Sequence, residues 1–174
     1  MVIPPWELFA LLDPAYPPFA ALVFLAMAVP VWLYMAWDDM AKLKIRNGLV
    51  LFVFGVFVVL GPLLLPLDVY FWQLVQAAIV FVAILVLYAA GTMGGGDAKF
   101  IAASSPYFMR EDTTLIIVLF TACAIAAIVT HRLARRLGAQ SAVPDWASWT
   151  SGKRFPLGFA LGGVLSIYLA LAAF

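Results

Sequence analysis

Acidic side chains at three positions have the means to do chemistry in this chain. Asp38 and Asp39 close one apolar run, and Asp97 follows Gly94, Gly95 and Gly96 at the end of another. Carboxylates beside hydrocarbon are costly and face a bundle interior or a wet cavity. Two of them sharing a site cannot both ionise comfortably, so the pair holds one proton and can act as base and acid on a water and a carbonyl. The glycines weaken a helix by about 1 kcal/mol each relative to alanine. They also permit φ > 0 and let a second backbone approach, in a place where irregular backbone must line a cavity or be buried in protein. The plainer alternative for this segment is a Gly-rich turn with Asp97 as a helix cap. Asp13, Asp68, Asp112 and Asp145 fall in turns or connections, where solvent accounts for them.

Other chemistries fit poorly. No G-x-S-x-G surrounds Ser104 or Ser105, and His131 begins a basic stretch on the other side of the membrane from them, so a Ser–His pair has poor geometry. With one histidine and no H-E-x-x-H there is no zinc site. Cys123 is the sole cysteine and reads as a small buried hydrophobe, excluding an intrachain disulfide or thiolate cluster. No metal and no cofactor is expected.

The elements that must position these acids are membrane spans. Of the 174 residues 66% are apolar and 11% charged, whereas a soluble domain carries about 25% charged residues. At about 20 residues per helix, the chain reads as an all-α polytopic membrane protein with about six segments and an aspartate dyad at the membrane edge. The runs lie near 19–37, 48–67, 70–90, a short 98–109, 113–130 and 156–174. Residues 1–174 form a single membrane-embedded domain. Residues 1–18, broken by prolines and lacking Lys or Arg, read as an interfacial segment with Trp6 near the headgroups rather than a signal peptide. Residues 131–155 read as a cytoplasmic or interfacial connection anchored by Trp146 and Trp149. Lys42, Lys44, Arg46, Lys99, Arg132, Arg135, Arg136, Lys153 and Arg154 fall on one side and Arg110 alone on the other. The positive-inside rule therefore puts both acidic spots at the cytoplasmic face and both termini outside. A net charge of +1 gives no electrostatic basis for a nucleic-acid partner. Asn47, opening the second long run, suits a helix cap.

The segment Gly94-Gly95-Gly96-Asp97 resembles the G-x-G-D signature of the type IV prepilin peptidases, in the short Flp/Tad-pilus form without the methyltransferase portion. Gly94, Gly96 and Asp97 match that signature, and Lys99 matches the basic residue that commonly follows it. Asp39 stands before Ile45-Arg46-Asn47 at the spacing of the family's aspartate and Ile-Pro-Asn, with Arg46 in place of the proline. Asp38 is out of register and is the spare acid. Pro156 and Gly158 match the start of the family's last helix. The resemblance implies a bacterial inner-membrane aspartic endopeptidase with Asp39 and Asp97 as the dyad, supported by Gly94, Gly96, Lys99 and Asn47. It would remove the short basic leader of a prepilin or pilin-like protein in pilus assembly or secretion. Implied partners are the pilin substrate, membrane lipid and pilus-assembly proteins. Two other readings remain: an inactive pilus-assembly subunit, and a small ion-coupled transporter, since intramembrane acids and broken helices also suit ion sites.

Overall fold

The computed structural model describes residues 13–151 and 155–174. It is helical throughout: α1 Pro18–Lys42, α2 Asn47–Leu64, α3 Leu67–Ala89, α4 Gly95–Ser104, α5 Thr113–Arg136 and α6 Gly158–Ala173, joined by short turns, some of them 3-10. Proline and glycine punctuate the path. Pro18 opens α1, where a missing N–H costs nothing. Pro66 precedes α3, and Gly91 (φ +74°) and Gly138 (φ +80°) turn the chain after α3 and α5. Leu43 ends α1 in the left-handed region, φ 52°, with its N–H on the Asp39 carbonyl at 2.7 Å. A non-glycine residue seldom adopts this conformation, and it turns the chain sharply toward α2.

Six membrane segments were expected; among the described residues four helices are long and apolar enough to cross: α1, α2, α3, and α5 with the turn before it, Arg110–Arg136. The ten residues of α4 extend about 15 Å against a hydrocarbon core of about 30 Å, because Pro106 and the turn around it stop the helix. The sixteen residues of α6 reach about 24 Å. This helix packs chiefly on α1 and α5, so protein encloses most of it and it needs no full hydrophobic length. The start of the expected connection is also helical. α5 runs six residues past 130 and places Arg135 and Arg136 in its last turn, where cations meet the negative end of the helix dipole.

Trp149 is not a headgroup anchor. It is buried, donates its indole N–H to the Val143 carbonyl at 2.9 Å, and stacks on His131 with ring centres 4.8 Å apart. Trp146 stacks on Trp149 and meets Trp37 edge-on at 5.0 Å. Cys123 is half-buried rather than buried. The expected interfacial segment lies outside the described residues as far as residue 12, Trp6 included, as do Lys153 and Arg154.

Phe24, Phe57 and Tyr107 form the middle of the core, with Tyr107 edge-on to Phe24 at 5.0 Å and to Phe57 at 5.1 Å. Such pairs contribute about 0.5–1.5 kcal/mol beyond area burial. The Tyr107 hydroxyl donates to the Val53 carbonyl at 2.7 Å, which ties the end of the short helical segment to α2. Away from the acids, Asp112 accepts the Ala15 N–H at 3.0 Å and the Tyr168 hydroxyl at 2.6 Å. This aspartate, read as a surface residue, joins the chain before α1 to α5 and α6.

α6 lies close to α1 because Gly162 has no side chain. A Cβ there would stand 2.6 Å from Trp32 Cδ1 and 2.9 Å from Met35 Cε. Trp32 cannot swing aside freely, since its indole N–H donates to the Phe159 carbonyl at 2.8 Å. At Gly163 the nearest atom to such a Cβ is Cys123 Sγ at 3.7 Å. Gly162→Ala should cost about 1–3 kcal/mol of stability by overpacking, whereas Gly163→Ala should be neutral or gain up to about 1 kcal/mol of helix propensity. Thermal melts of the two purified variants test this, and equal shifts would contradict it.

Candidate active site

The last turn of α1, the loop from Leu43 to Arg46, the start of α2, the Gly91–Asp97 segment and the chain entering α6 meet around one cavity of about 940 Å³. Asp39, Lys44, Asn47, Thr92, Asp97 and Lys99 supply its charged and polar lining, and Ile45, Phe155 and Leu157 are among its apolar walls. The sequence-expected acids Asp39 and Asp97 thus line the same space. Asp39 is 5% exposed, and its Oδ2 accepts the Gly158 N–H at 2.7 Å. That bond spans 119 residues and ties the C-terminal end of α1 to the first residue of α6. Asp97 sits in the first turn of α4, whose unpaired N–H groups favour a carboxylate. Burial nevertheless pushes its pKa up to about 6, and the negative charge of Asp39 adds to the rise. The two acids are electrostatically coupled.

The glycines serve close approach rather than unusual dihedrals. Gly94, the N-cap of α4, has φ −71°, and Gly95 and Gly96 are already helical; the positive φ belongs to Gly91. The helix break therefore lies before Gly94, with Gly95 and Gly96 on its ordered side. A Cβ on Gly94 would come 3.0 Å from Asp97 Oδ2, and one on Gly96 would come 3.2 Å from Ile45 Cβ and 3.4 Å from the Ile45 nitrogen. Gly96 thus lets the α1–α2 loop rest on the first turn of α4. Gly158 is the tightest of these positions around the acids, since a Cβ there would stand 2.8 Å from Asp39 Oδ2.

Asp38 is kept apart from this cavity. One residue along a helix is a rotation of about 100°, and Asp38 turns to accept Arg46 Nε at 2.8 Å, Arg46 Nη2 at 3.2 Å and Lys42 Nζ at 2.8 Å. Asn47 does not cap α2: the N-cap is Arg46, and no side-chain cap bond forms. Asn47 Oδ1 instead accepts Lys99 Nζ at 3.1 Å, so Lys99 reaches across to α2. Ser104 and Ser105 donate to carbonyls one turn back, Ile101 at 3.3 Å and Ala102 at 2.8 Å, while His131 is stacked against Trp149. Among the described residues no group of three or more His, Cys, Asp or Glu is placed to hold a metal ion.

Sequence reasoning missed the role of the Gly158 N–H as the partner of Asp39, because a backbone donor leaves no mark on residue type. It also missed the Arg46–Asp38 pair, whose trace was a surplus acid and a surplus base eight positions apart. An apolar groove of about 640 Å³ lined by Val50, Phe54, Leu74, Phe81 and Ala102, among others, shares Asn47 and Lys99 with the acidic cavity.

A family model described as the type IV leader peptidase family matches residues 21–131, most of the chain, taking in Asp39, Asp97 and the glycines between α3 and α4. No curated protein and no solved structure matches the chain. With both carboxylates on one cavity and the match covering them, the chain belongs to the type IV leader peptidase family and is a membrane aspartic endopeptidase acting on prepilin-type proteins.

Proposed function

We propose that Asp39 and Asp97 are the catalytic pair and that they cut the short basic leader from a Flp-type prepilin or pilin-like protein at the cytoplasmic face of the bacterial inner membrane. The observation that carries this reading is the shared cavity, in which the charge of Asp39 helps to hold the proton on Asp97. Asp39, fixed through Oδ2 by the Gly158 N–H, takes a proton from the attacking water. The water oxygen adds to the scissile carbonyl carbon, and Asp97 gives its proton to the carbonyl oxygen or the leaving nitrogen. Collapse breaks the C–N bond and releases a carboxylate and an amine. Gly94 and Gly96 keep Asp97 and the loop at their observed distances, and Lys99 and Asn47 frame the mouth. The apolar groove sharing those two residues suits the hydrophobic helix that follows a prepilin leader. Lys42, Lys44, Arg46, Lys99, Arg132, Arg135 and Arg136 lie toward the cavity end of the bundle and Arg110 toward the other, supporting a cytoplasmic position for the cavity.

Co-expression with a Flp-type prepilin, scored by the size of the product, tests the assignment. Asp39→Asn and Asp97→Asn should each lower cleavage by at least about 10²-fold, the scale of a lost acid or base, while both proteins still insert. Asp38→Asn should retain measurable cleavage. A dyad variant that still processed the pilin at the wild-type rate would overturn the pair. Ion flux into proteoliposomes without peptide hydrolysis would favour a transporter.

Gly158→Ala should lower kcat by about 10-fold or more, since Asp39 must move to admit the new carbon and misplacement by about 1 Å can cost about 10²-fold. Wild-type turnover would show that the close approach is dispensable.

The raised pKa of Asp97 also has a sign for stability. The folded chain binds this proton more tightly than the unfolded chain, so the contribution is fully present below about pH 4. It is lost as pH rises through the folded value of about 6. The melting temperature of the wild type should therefore fall relative to that of Asp97→Asn between pH 4 and pH 8. An unchanged difference would contradict the burial of the charge.

A further inference from the structure

Asp38 and Arg46 play no part in the chemistry above, yet they form the best-defined ion pair near the cavity. The guanidinium meets the carboxylate through two nitrogens, Nε at 2.8 Å and Nη2 at 3.2 Å, the forked geometry that adds direction to attraction. The carboxylate side chain is 5% exposed and the arginine 53%, so the pair neutralises an acid held away from water. Lys42 also reaches Asp38, but it stands on the same helix four residues on and constrains nothing beyond α1. Arg46 is different. It lies across the four-residue loop, at the N-cap of α2, and its bond to Asp38 closes that loop into a ring.

The ring holds Ile45, which is 6% exposed and sits where a Cβ on Gly96 would touch it. Gly96 immediately precedes Asp97. We infer that Arg46 is a positioning residue of the proteolytic site: its clamp on Asp38 sets the loop that seats the first turn of α4, and so sets where Asp97 stands relative to Asp39. This rests on the reading of Asp39 and Asp97 as the catalytic pair. The clamp adds to the Leu43 N–H on the Asp39 carbonyl and the burial of Ile45, the other contacts that hold this turn. Leu43 is in the left-handed region without being glycine, and α2 has no side-chain cap.

The backbone supplies a sharp test. Arg46 has φ −74° and ψ 137°, values that proline adopts, and its N–H makes no hydrogen bond among the described residues. Proline at this position would stiffen the same turn through its ring and make the ion pair unnecessary. Arg46→Ala should lower kcat by about tenfold with KM little changed, within the range of couplings between contacting residues. Asp38→Ala should match it, and the two together should lose no more than either alone. Lys42→Ala should lose less than about twofold. Arg46→Pro should keep kcat within about threefold of wild type, and adding Asp38→Ala to Arg46→Pro should then have no further effect.

Melting temperatures of each purified variant separate lost positioning from lost folding. If Arg46→Ala does not fold, Arg46→Gln, which keeps hydrogen-bond donors without the charge, takes its place with the same expected loss. Wild-type kcat in Arg46→Ala, or Arg46→Pro as slow as Arg46→Ala, would overturn the inference while leaving the dyad intact. Undiminished cleavage by Asp39→Asn or Asp97→Asn would instead remove the reading on which it stands.

Discussion

A carboxylate inside an apolar bundle must be given partners or kept neutral, and this constraint organises the molecule around its acidic end. Among the described residues the Asp39 side chain has one hydrogen-bond partner, the Gly158 N–H. That single bond determines several other features. It joins the start of α6 to α1 where a Cβ on Gly158 would crowd the Asp39 oxygen, and Phe155 and Leu157 beside it line the cavity wall. The same end of the bundle receives the first turn of α4, which carries Asp97 to the cavity. The opposite end is held in another way, by Asp112 accepting from Ala15 and Tyr168. One end of the fold is thus fastened by a satisfied staple and the other by bonds that leave a carboxylate facing open space.

The three acids near the cavity show how local geometry separates chemically identical groups. Asp38 and Asp39 are neighbours in sequence, yet the helix rotates them apart. The first is neutralised by two cations, while the second has a neutral backbone donor and an acidic companion. A site with all three carboxylates free would carry too much negative charge for a shared proton to be well defined. The cations on Asp38 hold it outside the cavity that Asp39 and Asp97 line together with Lys44 and Lys99.

Much of this was legible in the sequence, for reasons that can be named. The polytopic membrane character follows from composition and needs no tertiary detail. Asp39 and Asp97 stood out because a carboxylate at the end of an apolar run costs free energy wherever it is placed. The lengths of α4 and α6 were harder to read: an apolar run has the same pattern whether it faces lipid or is enclosed by other helices, so six spans were expected where four helices qualify among the described residues. Trp149 was misread for a related reason, since an aromatic ring gains from neighbouring rings as well as from the interface. The glycines were recognised as special, but the reason was packing against Ile45 and Asp97 rather than positive φ. Asn47 has a cap residue's chemistry, yet Lys99 takes its oxygen, and no sequence pattern encodes that competition.

The central claim is that Asp39 and Asp97 share one cavity, in which burial, reinforced by the charge of Asp39, keeps the proton on Asp97. Titration of the protonated carboxyl signal by infrared difference spectroscopy, with labelled aspartate in detergent-solubilised protein, tests it most directly. In the wild type a carboxyl lost in Asp97→Asn should release its proton near pH 6, and in Asp39→Asn the same signal should titrate at lower pH. A transition indifferent to Asp39, or one at the ordinary aspartate value, would contradict the account.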